Sequence, residues 1–405
     1  MTMNQTPSAN RVHIAFFGRR NAGKSSLLNA VTGQSIAVVS QVLGTTTDPV
    51  QKSMELLPLG PVVMIDTPGF DDEGELGSLR VKKAKQVLAK TDVAVLVAEA
   101  GKPLGPVERE LLELFRQREL PFLIARSKAD LSGRDQTQAQ DWEIYVSAQS
   151  GQGIVELKER LAALGRRESE PRLVGDLLRP GQLAVLVTPI DASAPKGRII
   201  LPQQQVLRDV LDADAVALVT KEFQLKEALA GLQQRPAMVI TDSQVFGRVA
   251  ADVPEEIPLT SFSILMARYK GLLETAVRGV AAIDRLRDGD RILVAEGCTH
   301  HRQCEDIGTV KLPAWLRRHT GKELHFETAS GMGFPENLRP YSLVLHCGGC
   351  MLNEREVQHR MRSAVEQGVP ITNYGTAIAF VQGILRRSLS LFPELLRLLD
   401  GTERS

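Results

Sequence analysis

Gly18-Arg19-Arg20-Asn21-Ala22-Gly23-Lys24-Ser25 is the stretch whose reading decides the fold. It fits the pattern G-x-x-x-x-G-K-[S/T]. An apolar run at 12–17 precedes it and a helical pattern at 25–32 follows it, which is the context the pattern requires. Glycine lets the backbone curl until its N–H groups point inward at phosphate oxygens, and the helix N-terminus adds the positive end of its dipole. Lys24 is placed to reach the β- and γ-phosphates, and Ser25 to offer its hydroxyl to Mg²⁺. The expected phosphate-binding residues are therefore Gly18, Asn21, Ala22, Gly23, Lys24, Ser25 and Ser26.

Further motifs follow in order. Asp66-Thr67-Pro68-Gly69 ends an apolar run at 62–65. Asp66 there can hold Mg²⁺ through water, and the Gly69 N–H can contact the γ-phosphate. Between the two motifs lies Gly44-Thr45-Thr46-Thr47-Asp48-Pro49, and Thr46 is expected to complete the Mg²⁺ shell only when the γ-phosphate is present. Ser127-Lys128-Ala129-Asp130 follows an apolar run at 121–125. The Asp130 carboxylate can accept from N1–H and the 2-amino group of guanine, a donor pair that adenine lacks. The Lys128 stem can lie along the base. Ser147 and Ala148, after 144–146, can supply backbone N–H to guanine O6. Lys24, Asn21, Thr46 and Asp66 are the candidate catalytic residues. Phe70 follows Gly69 and cannot orient a water, so hydrolysis needs another helper. Arg19 and Arg20 read as solvated side chains of the phosphate loop.

The rest of the chain is organised around this block. Its 405 residues exceed one ordinary core. With 43% hydrophobic and 24% charged residues, the composition excludes a largely disordered chain. The 49 basic and 48 acidic residues leave a net charge of +1, against a nucleic-acid binder. No apolar run reaches the ~18 residues of a membrane span, and residues 1–10 are polar, so a cytoplasmic protein with no membrane partner is expected. Residues 11–167 alternate strand and helix patterns, which implies a parallel sheet covered on both faces. A charged, Gly- and Pro-containing linker at 165–180 leads to a second block, 178–263. Its apolar runs at 183–190, 215–219 and 237–240 alternate with helical patterns. It holds no cysteine or histidine and reads as a small α/β dimerisation domain. A third block, 264–405, opens on a helical stretch at 264–286 and then places strands at 291–295, 323–327, 342–345 and 370–373. The fold class expected is α/β in three domains, a parallel phosphate-binding sheet and two smaller α/β domains.

All four cysteines lie in the third block. Cys298-Thr299-His300 follows the run 291–295. His346-Cys347-Gly348-Gly349-Cys350 follows 342–345. Both leave the carboxyl ends of strands, where open α/β sheets place ligands. C-x-x-C puts two thiolates within reach of one centre, and Gly348 and Gly349 expose N–H groups toward sulfur. Spacing alone leaves an iron–sulfur cluster, a structural zinc and a redox C-x-x-C open.

Residues 11–167 resemble the translation-factor-related GTPases, in the branch of the tRNA-modifying and ribosome-assembly enzymes. That branch usually has Asn where Ser127 stands, tethering the base loop to the phosphate loop, so weaker nucleotide affinity is expected here, with the guanine preference kept by Asp130. An Asn at the position of Asn21 implies a K⁺ ion beside the phosphates. The combination of this block, a cysteine-free middle and C-x-H followed by H-C-x-x-C resembles the [FeFe]-hydrogenase maturation GTPases over the whole chain. The resemblance implies GTP, Mg²⁺, K⁺ and a [4Fe–4S] cluster held by Cys298, Cys347 and Cys350, with a fourth ligand among His300, His346, Cys304 or an exogenous group. It implies a scaffold that delivers a di-iron subcluster to apo-[FeFe]-hydrogenase, with two radical-SAM enzymes supplying ligands; the homodimer is expected from the middle block, which carries no chemistry of its own. The competing class is a ribosome- or tRNA-associated GTPase with structural zinc in the third block, which the near-neutral charge there opposes.

Overall fold

The computed structural model describes residues 7–33, 49–69, 86–132, 140–166, 172–190, 199–297 and 307–402. They fall into two compact units, Met1–Ser169 and Glu170–Ser405.

The first unit is a six-stranded sheet in the order β2-β3-β1-β4-β5-β6. The strands are β1 (Val12–Phe17), β2 (Val50–Leu56), β3 (Gly60–Asp66), β4 (Val93–Glu99), β5 (Phe122–Ser127) and β6 (Glu143–Tyr145). β1 and β4 are apolar along almost their whole length because helices cover both faces of the sheet. The two layers close over separate cores, one around Leu27, Met64 and Leu157 and one around Phe17, Leu96 and Phe115. β2 pairs antiparallel with β3 and is the one strand that departs from the parallel arrangement. It went unread because it is an edge strand: Gln51, Lys52, Ser53 and Glu55 interrupt its apolar residues. β1 lies between β3 and β4, so the chain leaves it at the point where strand order reverses, and the phosphate loop starts there.

The second unit holds two four-stranded sheets, both parallel throughout. One runs β10-β9-β7-β8, from β7 (Leu183–Val187), β8 (Val216–Thr220), β9 (Met238–Thr241) and β10 (Leu259–Ser261). The short β10 carries no periodic signal of its own. The other runs β12-β11-β13-β14, from β11 (Arg291–Glu296), β12 (His325–Ser330), β13 (Leu343–His346) and β14 (Ile371–Asn373). The helix expected over 264–286 is broken into Phe262–Tyr269 and Leu273–Val280, with a 3₁₀ turn at Ile283–Arg285. Gly271, at φ 68, ends the first of these in the left-handed conformation that glycine adopts without a Cβ penalty. β12 starts two residues later than the apolar pattern suggests, because its register is set by pairing His325 with Arg291. A continuous core runs through this unit from Leu173 to Leu399 and packs both sheets.

In the second sheet β11 is flanked by β12 and β13. Strand order therefore reverses at β11 as it does at β1. The chain leaves β11 at Gly297 and β13 at Cys347, side by side at the carboxyl edge.

Candidate nucleotide and metal sites

The phosphate loop is shaped by three backbone conformations. Gly18 has φ 147, and a Cβ there would stand 2.3 Å from the Val97 carbonyl oxygen, so only glycine lets β1 leave the sheet at this point. Gly23, at φ 91, is the N-cap of the helix Lys24–Thr32. Asn21 is exposed and holds φ 60, which is uncommon for a non-glycine residue. Lys24 is buried, and its Nζ donates to the carbonyls of Gly18 at 2.9 Å and Arg19 at 2.8 Å. The loop thus closes around its own ammonium group, at the place where a phosphate would offer a charged acceptor.

Ser25 Oγ donates to Asp66 Oδ2 at 2.6 Å. Asp66 is buried, and its Oδ1 has no hydrogen-bond partner among the described residues. Burial pushes the Asp66 carboxyl above its ordinary range, while the Ser25 hydroxyl and the Lys24 charge pull it back. A hydroxyl, a buried carboxylate and an orphaned oxygen form the donor set that a hard divalent cation takes, so Ser25 and Asp66 fit Mg²⁺. Gly69 packs on the phosphate loop so closely that a Cβ would lie 2.7 Å from Arg20 Cα. Ser26 is half-buried in the first turn of the helix. Thr46 and Phe70 lie outside the described residues.

Arg19 keeps an exposed side chain but makes an ion pair. Its Nε stands 3.1 Å from Glu108 Oε2, and Glu108 is itself buried and accepts from the Gly105 N–H at 2.8 Å. Glu108 lies on the helix Pro106–Gln117, where nothing in the local pattern announces a contact with residue 19.

The base loop is joined to the phosphate loop through Ser127. Ser127 Oγ donates to the Ala22 carbonyl at 2.6 Å, and the Ala98 carbonyl lies at 3.3 Å. The serine hydroxyl thus bonds the base loop to the phosphate loop. β5 and the phosphate loop approach closely enough for the shorter side chain to span the gap. Lys128 takes φ 57 and sets its Nζ 3.4 Å from Glu99 Oε2. The hydrogen bond from Lys102, with Lys128 nearby, holds the Glu99 carboxyl below its usual range. Asp130 is exposed on the turn Ala129–Leu131. The Ala129 N–H donates to the Val146 carbonyl at 3.1 Å, which brings Asp130 beside buried Ser147 and exposed Ala148. All the described nucleotide residues therefore stand on the exits of β1, β3, β5 and β6.

The second unit presents Cys347 directly after β13. Its N–H donates to the Ala295 carbonyl at 2.9 Å, and its Sγ accepts from the N–H of Gly297 at 3.1 Å and of Gly349 at 3.4 Å. Burial raises the Cys347 thiol, opposed by those two N–H groups and the Arg360 charge. Such a thiol gives up its proton most readily to a metal. Gly349, at φ 64, turns the chain so that half-buried Cys350 follows. His346 is buried, and its Nδ1 lies 2.7 Å from the Cys347 carbonyl. A carbonyl only accepts, so Nδ1 carries the hydrogen and Nε2 is bare, with no hydrogen-bond partner among the described residues. Burial, then the Arg360 charge, lowers the His346 pKa to about 4, which keeps the ring neutral, the form that binds metals. Among the described residues no three of His, Cys, Asp and Glu are grouped to hold a metal. His346, Cys347 and Cys350 stand together on the turn after β13, and Cys298, His300 and Cys304 lie outside the described residues.

Known proteins match in three segments. Residues 13–128 match the 50S ribosome-binding GTPase family model, residues 173–271 the hydrogen maturase F dimerization domain, and residues 274–391 the hydrogen maturase F tetramerization domain. The chain belongs to the hydrogen maturase F family. Its first unit is a GTPase domain, and its second carries the two assembly domains of that family. In its GTPase region the chain is 34% identical over 131 residues to GTPase Der of Sulfurimonas denitrificans, covering 32% of this chain and 26% of that protein. It is 32% identical over 162 residues to GTPase Era of Carboxydothermus hydrogenoformans, covering 37% and 54% respectively. It is 33% identical over 154 residues to the tRNA modification GTPase MnmE of Bordetella petrii, covering 38% and 33%. The chain thus spans from about a quarter to just over half of the length of these curated relatives. Among solved structures, Era of Aquifex aeolicus bound to GDP·AlF4⁻ aligns at 18% identity and a TM-score of 0.36, covering 54% of this chain and 97% of that one.

Beyond the residues expected from sequence, the fold adds Glu108 behind Arg19, Glu99 beside Lys128, and Gly297 on the Cys347 sulfur. None had a motif to announce it.

Proposed function

We propose that the protein is a GTP-hydrolysing scaffold that carries a [4Fe–4S] cluster on Cys298, Cys347 and Cys350 and delivers a di-iron subcluster to apo-[FeFe]-hydrogenase. The observation that carries this is the Gly297 N–H on Cys347 Sγ. Gly297 immediately precedes Cys298, so the backbone that leads to the first cysteine of the motif already touches the sulfur of the second. Two N–H donors on one sulfur are the kind of hydrogen bonding that tunes thiolates ligating iron–sulfur clusters. When bound, the cluster supplies an iron corner to which an incoming iron complex attaches. The protein's own part is to hold three thiolates, exclude water with buried His346 and offer its bare Nε2 as a fourth ligand. His300 and Cys304 are the other candidates.

In the GTPase unit, Lys24 meets the β- and γ-phosphates, Ser25, Asp66 and Thr46 hold Mg²⁺, and Asp130 reads guanine. Asn21 ligates K⁺ beside the phosphates. GTP turnover is then faster in K⁺ than in Na⁺, and Asn21→Ala removes the difference while GTP still binds. Equal rates in the two salts would remove K⁺ from this scheme. The two radical-SAM maturation enzymes supply the ligands of the di-iron cargo, in the cytoplasm. A homodimer forms through 173–271, where β8 is a sheet edge with Val216 and Val219 exposed. No helix among the described residues is long and apolar enough to cross a membrane. The decisive experiment is metal analysis of anaerobically purified protein. A brown protein with about four irons per chain is expected. A colourless protein with one zinc would sink the scaffold.

A further inference from the structure

Arg360 is the largest fully buried side chain among the described residues, at 2% exposure. It sits on the helix Glu354–Glu366, a surface-type helix rich in charge, and there it points inward. A buried guanidinium must satisfy its donors and its charge. It does so at three places on the carboxyl side of the second sheet. Nη1 donates to the Glu296 carbonyl at 3.4 Å, a long bond. Nη2 donates to the Gly331 carbonyl at 2.6 Å and to Glu356 Oε1 at 2.6 Å. The guanidinium also lies over the Phe334 ring, 5.1 Å from its centroid.

The partners define what the residue does. Glu296 is the last residue of β11, and Gly297 follows with its N–H on Cys347 Sγ. Gly331 follows the end of β12. One side chain therefore pins the exits of two neighbouring strands to the helix that follows the C-x-x-C turn. The Glu296 carbonyl that accepts from Arg360 and the Gly297 N–H that lies on Cys347 Sγ belong to one peptide group, so the buried guanidinium stands one peptide away from the sulfur. Core packing alone does not call for a buried ion pair, because its desolvation can cost more than the pair returns.

We infer that Arg360 is a positioning residue and the buried counter-charge of the cluster site, holding the exits of β11 and β12 against the helix that follows the C-x-x-C turn and compensating the negative charge of the thiolate-bound cluster. This rests on the cluster reading above. It makes a prediction that a purely structural role does not. Reduction adds one electron, so a nearby positive charge favours the reduced form and a nearby carboxylate disfavours it.

The test is the midpoint potential of the [4Fe–4S] signal in the reconstituted full chain, titrated with dithionite and mediators and followed by EPR. Arg360→Gln is expected to lower the potential and Glu356→Gln to raise it. Arg360→Lys keeps the charge and is expected to stay near the unsubstituted protein in potential, with an altered EPR line shape because the lysine cannot span three acceptors. Shifts of the same sign in Arg360→Gln and Glu356→Gln, or no shift in either, would overturn the inference while leaving the cluster itself established. If Arg360→Gln does not fold, Glu356→Gln and Arg360→Lys decide: an unchanged or lowered potential in Glu356→Gln overturns the inference. An unsubstituted protein that takes up no [4Fe–4S] cluster at all would instead sink the scaffold reading and this inference with it.

Discussion

The phosphate loop and the cysteine site stand at the same kind of place, the carboxyl edge of a parallel sheet where strand order reverses, but they are built differently. The phosphate loop is one contiguous stretch. Lys24 bonds to carbonyls five and six residues before it, and the backbone conformations that shape the loop lie within it. The cysteine site is assembled from two strand exits, and its first described contact joins residues fifty positions apart. A contiguous site needs only its strand and helix. An assembled site needs the register of β11 against β13 to be right, and so depends on side chains such as Arg360 that touch no ligand. The two sites should fail independently and for different reasons.

The largest expected effect tests that independence from the metal side. Cys298→Ala, Cys347→Ala and Cys350→Ala should each lose most of the bound iron and all hydrogenase activation, with GTP turnover unchanged. Iron content and phosphate release measured on one preparation check this, and a parallel loss of GTP turnover would show the two sites to be coupled. Next comes the mirror experiment. Lys24→Ala removes a charge that meets phosphate in a partly water-excluded loop, and GTP turnover should fall by roughly 10²–10³-fold, the scale for one lost transition-state donor. Iron content should not change.

A smaller effect sharpens the nucleotide half. Asp130→Asn replaces an acceptor with a donor facing the donor edge of guanine. Losing one charged hydrogen bond costs about 1.5–3 kcal/mol, and GTP should bind roughly one to two orders of magnitude more weakly. Xanthosine nucleotides, which present a carbonyl there, should gain. Unchanged GTP affinity in a fluorescence titration would remove Asp130 as the base reader. The smallest effect belongs to the serine tether. Ser127→Ala removes a neutral hydrogen bond to the Ala22 carbonyl, worth about 0.5–1.5 kcal/mol. GDP affinity should drop about two- to tenfold, and Ser127→Asn should restore it. An unaffected Ser127→Ala would mean that the two loops are held together by packing alone.

The sequence by itself determined the α/β class, the phosphate loop with its lysine and serine, Asp66, the order of the base-reading motifs, and the two cysteine groups. These are legible because each depends on residue types at short fixed spacings, and a strand–glycine–helix transition dictates its own backbone. The left-handed conformations of Gly18, Gly23 and Gly349 follow from the same local rule. Edge strand β2 and short β10 escaped that reading, since β2 is of mixed polarity and β10 offers one apolar residue, Leu259, in three. Only the tertiary structure decided which side chains close the gaps between elements. It joined Ser127 to the Ala22 carbonyl, anchored Arg19 on Glu108, placed the Gly297 N–H on the Cys347 sulfur and buried Arg360 against the carbonyls of Glu296 and Gly331. Each of these contacts joins residues 29 to 105 positions apart. Their distances are set by strand register and helix docking, which no local pattern in the sequence records.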